Sequence, residues 1–184
     1  MRAVTATLYL YHFDELDEGA KESAREFFRL DPHLWAWQSE WWESALAFSR
    51  VAPITITEAD YGASNVRVRW DGDEDVAELS GLRAWKWLQN NGPKRDVSWL
   101  DCASEEAQGN CGLTGFCGDA PFFNPIAEIQ SPTDVPTLRE LFEDCADRWM
   151  REANQDFEHA HSDEGIDGLI RCNEYEFFDT GELA

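Results

Sequence analysis

Apolar side chains recur every three to four residues over a long segment near the carboxyl end of the chain. The stripe consists of Leu138, Leu141, Phe142, Cys145, Trp149, Ala153 and Phe157. Because this spacing puts every member on one face of an α-helix, it predicts a helix over about 135–160 that buries one face in a core. Asp134 is placed to cap this helix, and Pro136 suits its first turn.

Other segments show the same helical spacing. After Asp14, a candidate N-cap, apolar residues recur at Leu16, Ala20, Ala24 and Phe27/Phe28 until Pro32 ends the pattern. A second helix over about 34–50 carries four tryptophans: Trp35, Trp37, Trp41 and Trp42. Their spacing favours core positions over the alternative, a platform on which bases or sugars stack. Shorter helices are predicted over 82–90 and 163–172.

Alternating residues predict strands over 3–13, 54–58, 65–70, 76–79 and 174–178. In the third of these, Val66, Val68 and Trp70 face one way while Arg67 and Arg69 face the other, as in an antiparallel sheet with one wet side. We therefore expect an α+β fold in which one antiparallel sheet is packed by several helices on one face. The length predicts a single domain over 1–184, with an irregular segment rich in glycine and cysteine at about 94–132.

The charge balance narrows the classes of function. The chain has 15 basic and 37 acidic side chains, a net charge of −22, which disfavours direct binding to nucleic acid or to an anionic membrane. It contains neither an apolar run of about 20 residues nor a signal-peptide pattern, so we expect a cytoplasmic protein. In a reducing cytosol its five cysteines are expected to be free thiols, several of them buried.

Most of the negative charge lies in the second half of the chain. Residues 101–184 hold 4 basic and 20 acidic side chains, which gives −16 of the −22. Five of these acids point away from the apolar stripe of the predicted 135–160 helix: Glu140, Glu143, Asp144, Asp147 and Glu158. They are either a solvated surface or an array of phosphate-like charges that binds a nucleic-acid-binding groove on another protein. Arg139, Arg148 and Arg151 interrupt the array.

Residues that can catalyse reactions or bind metals are present but form no recognisable signature. His159 and His161 could join cysteines in a zinc site, although Cys111 and Cys117 are too far apart for the usual paired spacing. Cys117, flanked by glycines, could serve a cysteine–histidine hydrolase. The more economical interpretation is that Cys111 and Cys117 are buried thiols that anchor the irregular segment. We therefore predict no catalytic residue, no metal and no cofactor.

Several segments, in order, resemble a family of phage and prophage proteins. They are Phe13-Asp14-Glu15-Leu16 followed by Ala20-Lys21-Glu22, Glu40-Trp41-Trp42-Glu43-Ser44, the Cys-x-Leu-Thr-Gly-x-Cys segment over 111–117, Ser162-Asp163-Glu164, and Asn173-Glu174-Tyr175-Glu176-Phe177. The likeness spans nearly the whole chain. Members of the family are sometimes labelled antitoxin-like.

The resemblance implies an accessory protein of a mobile element that acts in the cytosol of a bacterial host. Small acidic proteins of phages are often inhibitors of host defence, including anti-CRISPR and anti-restriction proteins. Joined to the acidic second half, this predicts an inhibitor that is not an enzyme and that binds a host defence protein or ribonucleoprotein complex with a basic surface. Its predicted partner-binding residues are Glu140, Glu143, Asp144, Asp147 and Glu158. An antitoxin that neutralises a toxin and a cysteine- or zinc-dependent enzyme are the alternatives.

Overall fold

The computed structural model describes residues 7–30, 36–104 and 113–184 and confirms the α+β fold class. In chain order the elements are β1 (Tyr11–His12), α1 (Glu18–Arg29), α2 (Ala36–Ser49), β2 (Ile54–Asp60), β3 (Asn65–Trp70), α3 (Glu74–Ala77), α4 (Gly81–Asn90), α5 (Trp99–Ala103), α6 (Asn124–Ala127), α7 (Leu138–His161), α8 (Asp163–Cys172) and β4 (Glu176–Phe177). Short 3-10 helices cover Phe13–Glu15 and Cys117–Phe122.

The chain divides into two compact units. The terminal unit comprises Met1–Ala36 and Phe157–Ala184, and the central unit comprises Trp37–Asp156. Helix α7 is continuous, so its residues 138–156 belong to the central unit and its last turn to the terminal unit. Whether both units fold as the single domain expected from the length stays a prediction.

The terminal unit packs α1 against α8 around a small core. Its buried side chains are Phe13, Leu16, Ala20, Ala24, Phe28, Ile166, Ile170 and Phe177. This confirms the predicted apolar face of α1, except that Phe27 is half exposed. Asp17 is the N-cap of helix α1 and accepts a hydrogen bond from the Ala20 N–H at 2.8 Å. The prediction that Asp14 is the cap is wrong, because Asp14 lies in the preceding 3-10 turn.

The predicted first strand is largely wrong where it is described. Only Tyr11–His12 pair, with Phe177 and Glu176 of the short strand β4, and Thr7 to Leu10 are exposed and unpaired. Residues 1–6 lie outside the described part. The expectation of one shared sheet is also wrong, since β1 pairs with β4 and β2 pairs with β3 in two separate antiparallel ribbons. Alternation predicts a strand but does not supply a partner strand of the same length.

The central unit has a larger, aromatic core. The hairpin β2–β3 forms as predicted, with Arg67 and Arg69 exposed. Phe48 and Phe122 stack with their ring centroids 4.1 Å apart, and Phe122 stacks on Trp149 at 5.4 Å. These rings pack beside the stripe of α7, whose residues Leu138, Leu141, Phe142, Cys145, Trp149 and Ala153 are buried, while Phe157 is half-buried.

The tryptophan-rich helix α2 contributes to this core. Trp41 is 7% exposed and its indole N–H donates to Asp156 at 3.1 Å, while Trp42 packs partly buried against the cluster. Trp35 lies outside the described residues. At Trp41 the interpretation as a core residue is therefore confirmed, and this indole is not part of a stacking platform.

Two local predictions in the central unit are wrong, and in the described part of a third segment short helices alternate with irregular chain. Residues 76–79 lie in and just after helix α3, not in a strand, because Asp73 caps the helix by accepting the Asp75 N–H at 2.9 Å. The segment at 94–132, expected to be irregular, contains α5, the second 3-10 helix and α6. Helix α7 begins at Leu138, after Asp134 and Pro136, because Thr137 and Glu140 cap it.

Within the described residues, no helix combines the length and apolarity needed to cross a lipid bilayer.

Candidate functional site: the acidic face of α7

Four of the five predicted partner-binding residues lie together on the central unit's part of α7. We call Glu140, Glu143, Asp144 and Asp147 the acidic face. Glu143 is half-buried and the other three are exposed. Residues three and four apart are neighbours on a helix, so the four carboxylates form one surface opposite the buried stripe. Glu158 is exposed on the last turn of α7, which belongs to the terminal unit.

Glu140 also caps the helix. Its carboxylate accepts hydrogen bonds from the Thr137 hydroxyl at 2.8 Å and the Thr137 N–H at 3.0 Å, and the Glu140 N–H donates to the Thr137 hydroxyl at 3.2 Å. These bonds favour the ionised form and lower the pKa of Glu140. The charge at this end of the face is thereby fixed in position.

Asp144 and Asp147 differ in their surroundings. Asp144 lies 3.6 Å from an Arg151 guanidinium nitrogen, a weak exposed pair. Partial burial raises the pKa of Asp147, the positive charge of Arg151 partly offsets this effect, and the negative charge of Asp144 adds to it. The neighbouring carboxylates of Asp144 and Asp147 therefore repel each other within the acidic face.

The arginines that interrupt the acidic sequence are each paired with a carboxylate. Arg139 bonds to Glu74 and lies 3.7 Å from Glu78, while Arg148 donates to Glu128 at 2.9 Å. Arg151 is the partner of Asp144. The four carboxylates of the acidic face and the three partner carboxylates make seven negative charges against three guanidiniums, a local net charge of −4. The partner carboxylates at 74, 78 and 128 come from other segments, which a reading of α7 alone did not reveal.

Charge density tests the comparison with nucleic acid. Glu140 to Asp147 spans about 10 Å of helix axis at about 1.5 Å per residue. Four carboxylates over that length give about one charge per 3 Å, against one per about 1.7 Å for duplex DNA. The acidic face is therefore roughly half as dense as the duplex, enough to attract a basic surface without copying the spacing of phosphates.

A buried carboxylate organises the loop of the Cys-x-Leu-Thr-Gly-x-Cys segment. Asp119 is 3% exposed and accepts the Thr114 and Gly115 N–H groups at 2.8 and 2.9 Å, together with the Thr114 hydroxyl at 2.9 Å. The loop closes against α2, since a Cβ at Gly118 would meet the Trp41 ring at 3.1 Å. The sequence analysis did not single out Asp119.

The cysteines depart from expectation. Cys117 is exposed, so its predicted burial is wrong, and Cys111 lies outside the described residues. Cys102 is disulfide-bonded, which corrects the expectation that all five are free thiols. Cys145 is a buried thiol as predicted, and burial raises its pKa.

The described residues 7–30, 36–104 and 113–184 contain no group of three or more His, Cys, Asp or Glu side chains arranged to hold a metal ion. His159 is exposed, and the His161 ring contacts the Phe157 carbonyl oxygen at 2.9 Å.

Comparison with known proteins adds no relative: no family model, no curated protein and no solved structure matches the chain.

Proposed function

We propose that this protein is an acidic inhibitor that binds, through the acidic face of α7, a basic surface with which another protein holds nucleic acid. The observation that carries the proposal is the pairing of Arg139, Arg148 and Arg151, which leaves a net negative surface on a rigid helix. A helix anchored by a buried stripe is already formed before a partner binds, so binding does not have to order its backbone.

The class of partner follows from the resemblance to phage proteins. We propose that the partner is a host defence complex that handles nucleic acid, an anti-CRISPR or anti-restriction role. Such complexes carry basic grooves, and an acidic face beside them raises the association rate through the summed field. Because the acidic face has about half the charge density of duplex DNA, it is suited to compete with nucleic acid for part of a basic groove.

The test is a charge reversal on the acidic face. Glu143→Lys/Asp144→Lys/Asp147→Lys is assayed for inhibition of nucleic-acid cleavage by a purified CRISPR effector and a purified restriction endonuclease, with binding measured by biolayer interferometry. We expect at least a tenfold loss of affinity with a melting temperature close to that of the wild type, because Asp144 and Asp147 are exposed, Glu143 is only half-buried, and surface charges contribute little to stability. Raising salt from about 50 to 200 mM should weaken the wild type as well.

A matched control carries the same change in net charge away from α7. Glu26→Lys/Glu176→Lys/Glu182→Lys replaces three exposed carboxylates of the terminal unit and should retain binding. Equal loss in both triple variants would mean that overall charge, not the acidic face, drives association. Full inhibition by the α7 variant at every salt concentration contradicts the proposal.

A further inference from the structure

The segment that leads into β1 exposes apolar side chains beside an unpaired backbone. We call Thr7, Leu8, Tyr9 and Leu10 the edge segment. Leu8 is 69%, Tyr9 72% and Leu10 43% exposed. In the part of the chain that the structure describes, no backbone hydrogen bond joins the edge segment to another residue. Open backbone groups next to exposed apolar side chains are a template on which another strand can pair.

The edge segment also lacks the features that hinder strand pairing. From residue 3 to residue 11 the sequence contains no charged residue, no proline and no glycine, and five of these nine residues are valine, threonine or tyrosine, which favour strands. Strand β3, which belongs to the other two-stranded ribbon, carries exposed Arg67 and Arg69. Charged side chains on an edge strand oppose pairing with another chain, so β3 is protected in a way that the edge segment is not.

Strand β4 does not extend far enough to pair with the edge segment. In the antiparallel ribbon Tyr11 pairs with Phe177, so residues before Tyr11 would have to face residues after Phe177. The chain turns at that point instead: the Gly181 N–H donates to the Phe178 carbonyl at 3.0 Å, and Leu183 returns to bridge Phe177. A partner strand for the edge segment therefore has to come from another molecule.

A second copy of the edge segment has the required properties. Antiparallel pairing centred on Tyr9 places Tyr9 opposite Tyr9 of the second copy and Leu8 opposite Leu10 of the second copy. Each of these pairs is uncharged, and one two-fold axis satisfies the open backbone of both copies at once. Because the chain has a net charge of −22, two copies repel each other, and an uncharged segment is where their contact is least opposed.

We propose that the edge segment pairs with the edge segment of a second copy in an antiparallel, two-fold symmetric dimer. Three apolar side chains and a short strand bury less than the roughly 800 Å² per partner that is usual for a stable complex. The dimer is therefore transient, with a Kd of about 10–100 µM. The inference goes beyond the proposed function and does not depend on it, because it concerns the terminal unit and another partner.

Sedimentation velocity of the purified full chain tests the dimer. Between about 1 and 300 µM we expect the weight-average sedimentation coefficient to rise from that of a monomer towards that of a dimer. Raising salt from about 50 to 500 mM should strengthen the dimer, because salt screens the repulsion between two acidic copies. In hydrogen exchange, the N–H groups of the edge segment should gain protection as protein concentration rises, whereas those of Arg67 and Arg69 should not.

Two variants and a matched control locate the contact. Leu8→Lys/Leu10→Lys puts like charges opposite each other and should weaken the dimer at least tenfold. Leu8→Pro/Tyr9→Pro removes two successive backbone N–H groups without a change of charge and should weaken it as much. The control Leu30→Lys/Leu82→Lys makes the same charge change at two leucines that are 81% and 59% exposed, and it should stay within twofold of the wild type. All melting temperatures should stay near that of the wild type, because the replaced side chains are exposed.

Several outcomes would overturn the inference. A wild type that stays monomeric at every concentration would do so, and so would open-ended association into larger oligomers. A dimer that survives Leu8→Lys/Leu10→Lys, or that the control weakens equally, would place the contact elsewhere. None of these outcomes affects the test of the acidic face, which uses a protein partner and residues of α7, and in which salt should weaken binding.

Discussion

Among the residues that the structure describes, the central unit buries twenty-two in one hydrophobic cluster, whereas the terminal unit buries eight. The smaller core is supplemented by ion pairs: Arg25 donates to both carboxylate oxygens of Asp167, at 2.7 and 3.0 Å, with both side chains 14% exposed. Arg25 and Arg171 also lie 5.6 and 5.4 Å from the centre of the Phe13 ring. The difference teaches that a unit with little apolar surface can hold its helices together through guanidinium groups set between carboxylates and a ring.

The largest expected effect breaks the central unit. Phe142 is fully buried and its ring lies near those of Trp99, Trp87 and Phe48, so Phe142→Ala should destabilise the protein by about 3–5 kcal/mol. Urea unfolding measures the loss, and hydrogen exchange locates it. If the units open separately, protection falls over 37–156 and persists in α1 and α8; equal loss everywhere instead confirms one cooperative domain.

The next prediction breaks the terminal unit. Among the described residues, Asp167→Ala leaves Glu22, at 3.4 Å, as the one carboxylate in ion-pair contact with Arg25, so we expect a loss of roughly 2 kcal/mol, with exchange rising first in α1 and α8. The double variant Arg25→Met/Asp167→Leu removes both charges and should regain part of the stability. A single variant as stable as the wild type would show that the pair contributes nothing.

A smaller change should strengthen the terminal unit. Glu174 adopts φ 53° just after α8, where its N–H donates to the Arg171 carbonyl at 3.1 Å and the Tyr175 N–H to the Ile170 carbonyl at 3.4 Å. Glycine favours this left-handed position, so Glu174→Gly should stabilise by about 0.5–1 kcal/mol. Asn173→Gly, at φ −96°, is the control and should not stabilise. A lower melting temperature for Glu174→Gly would contradict the prediction.

The smallest effect concerns the titration of the acidic face. Carboxyl NMR should give Asp147 a midpoint above the usual value of about 3.9, and Glu140 one below about 4.3. The signs differ: the stability contributed by Glu140 is present above its unfolded pKa and is lost as pH falls through the lower folded pKa. Ionised Asp147 destabilises the folded state, so the free energy of unfolding rises as pH falls through the raised pKa of Asp147. Ordinary midpoints for both would remove the electrostatic distinction between them.

The sequence predicted elements whose pattern is long and regular. The stripe from Leu138 to Ala153, the 163–172 helix and the alternation of Val66 and Val68 all specify their structures locally. The prediction failed where contact with a distant segment of the chain determines the structure. The first strand is an example, because its pairing is limited to the two residues of β4. It also failed at 76–79, where the cap at Asp73 outweighs a short apolar run.

The candidate sites follow the same logic. The acidic residues of α7 were predictable because a helical stripe determines what lies opposite it. That Arg139 and Arg148 are paired with Glu74 and Glu128 depends on tertiary contacts and was not predictable.

The cysteines allow the two units to be labelled separately. Cys117 in the central unit and Cys172 in the terminal unit are exposed thiols, whereas Cys145 is buried with a raised pKa and Cys102 is already oxidised. Since the thiolate is the species that reacts, a maleimide dye at neutral pH should modify 117 and 172 and spare 145. A donor and an acceptor attached to these two natural positions would therefore report the distance between the units, and any change in it when a partner binds, without introducing a new residue.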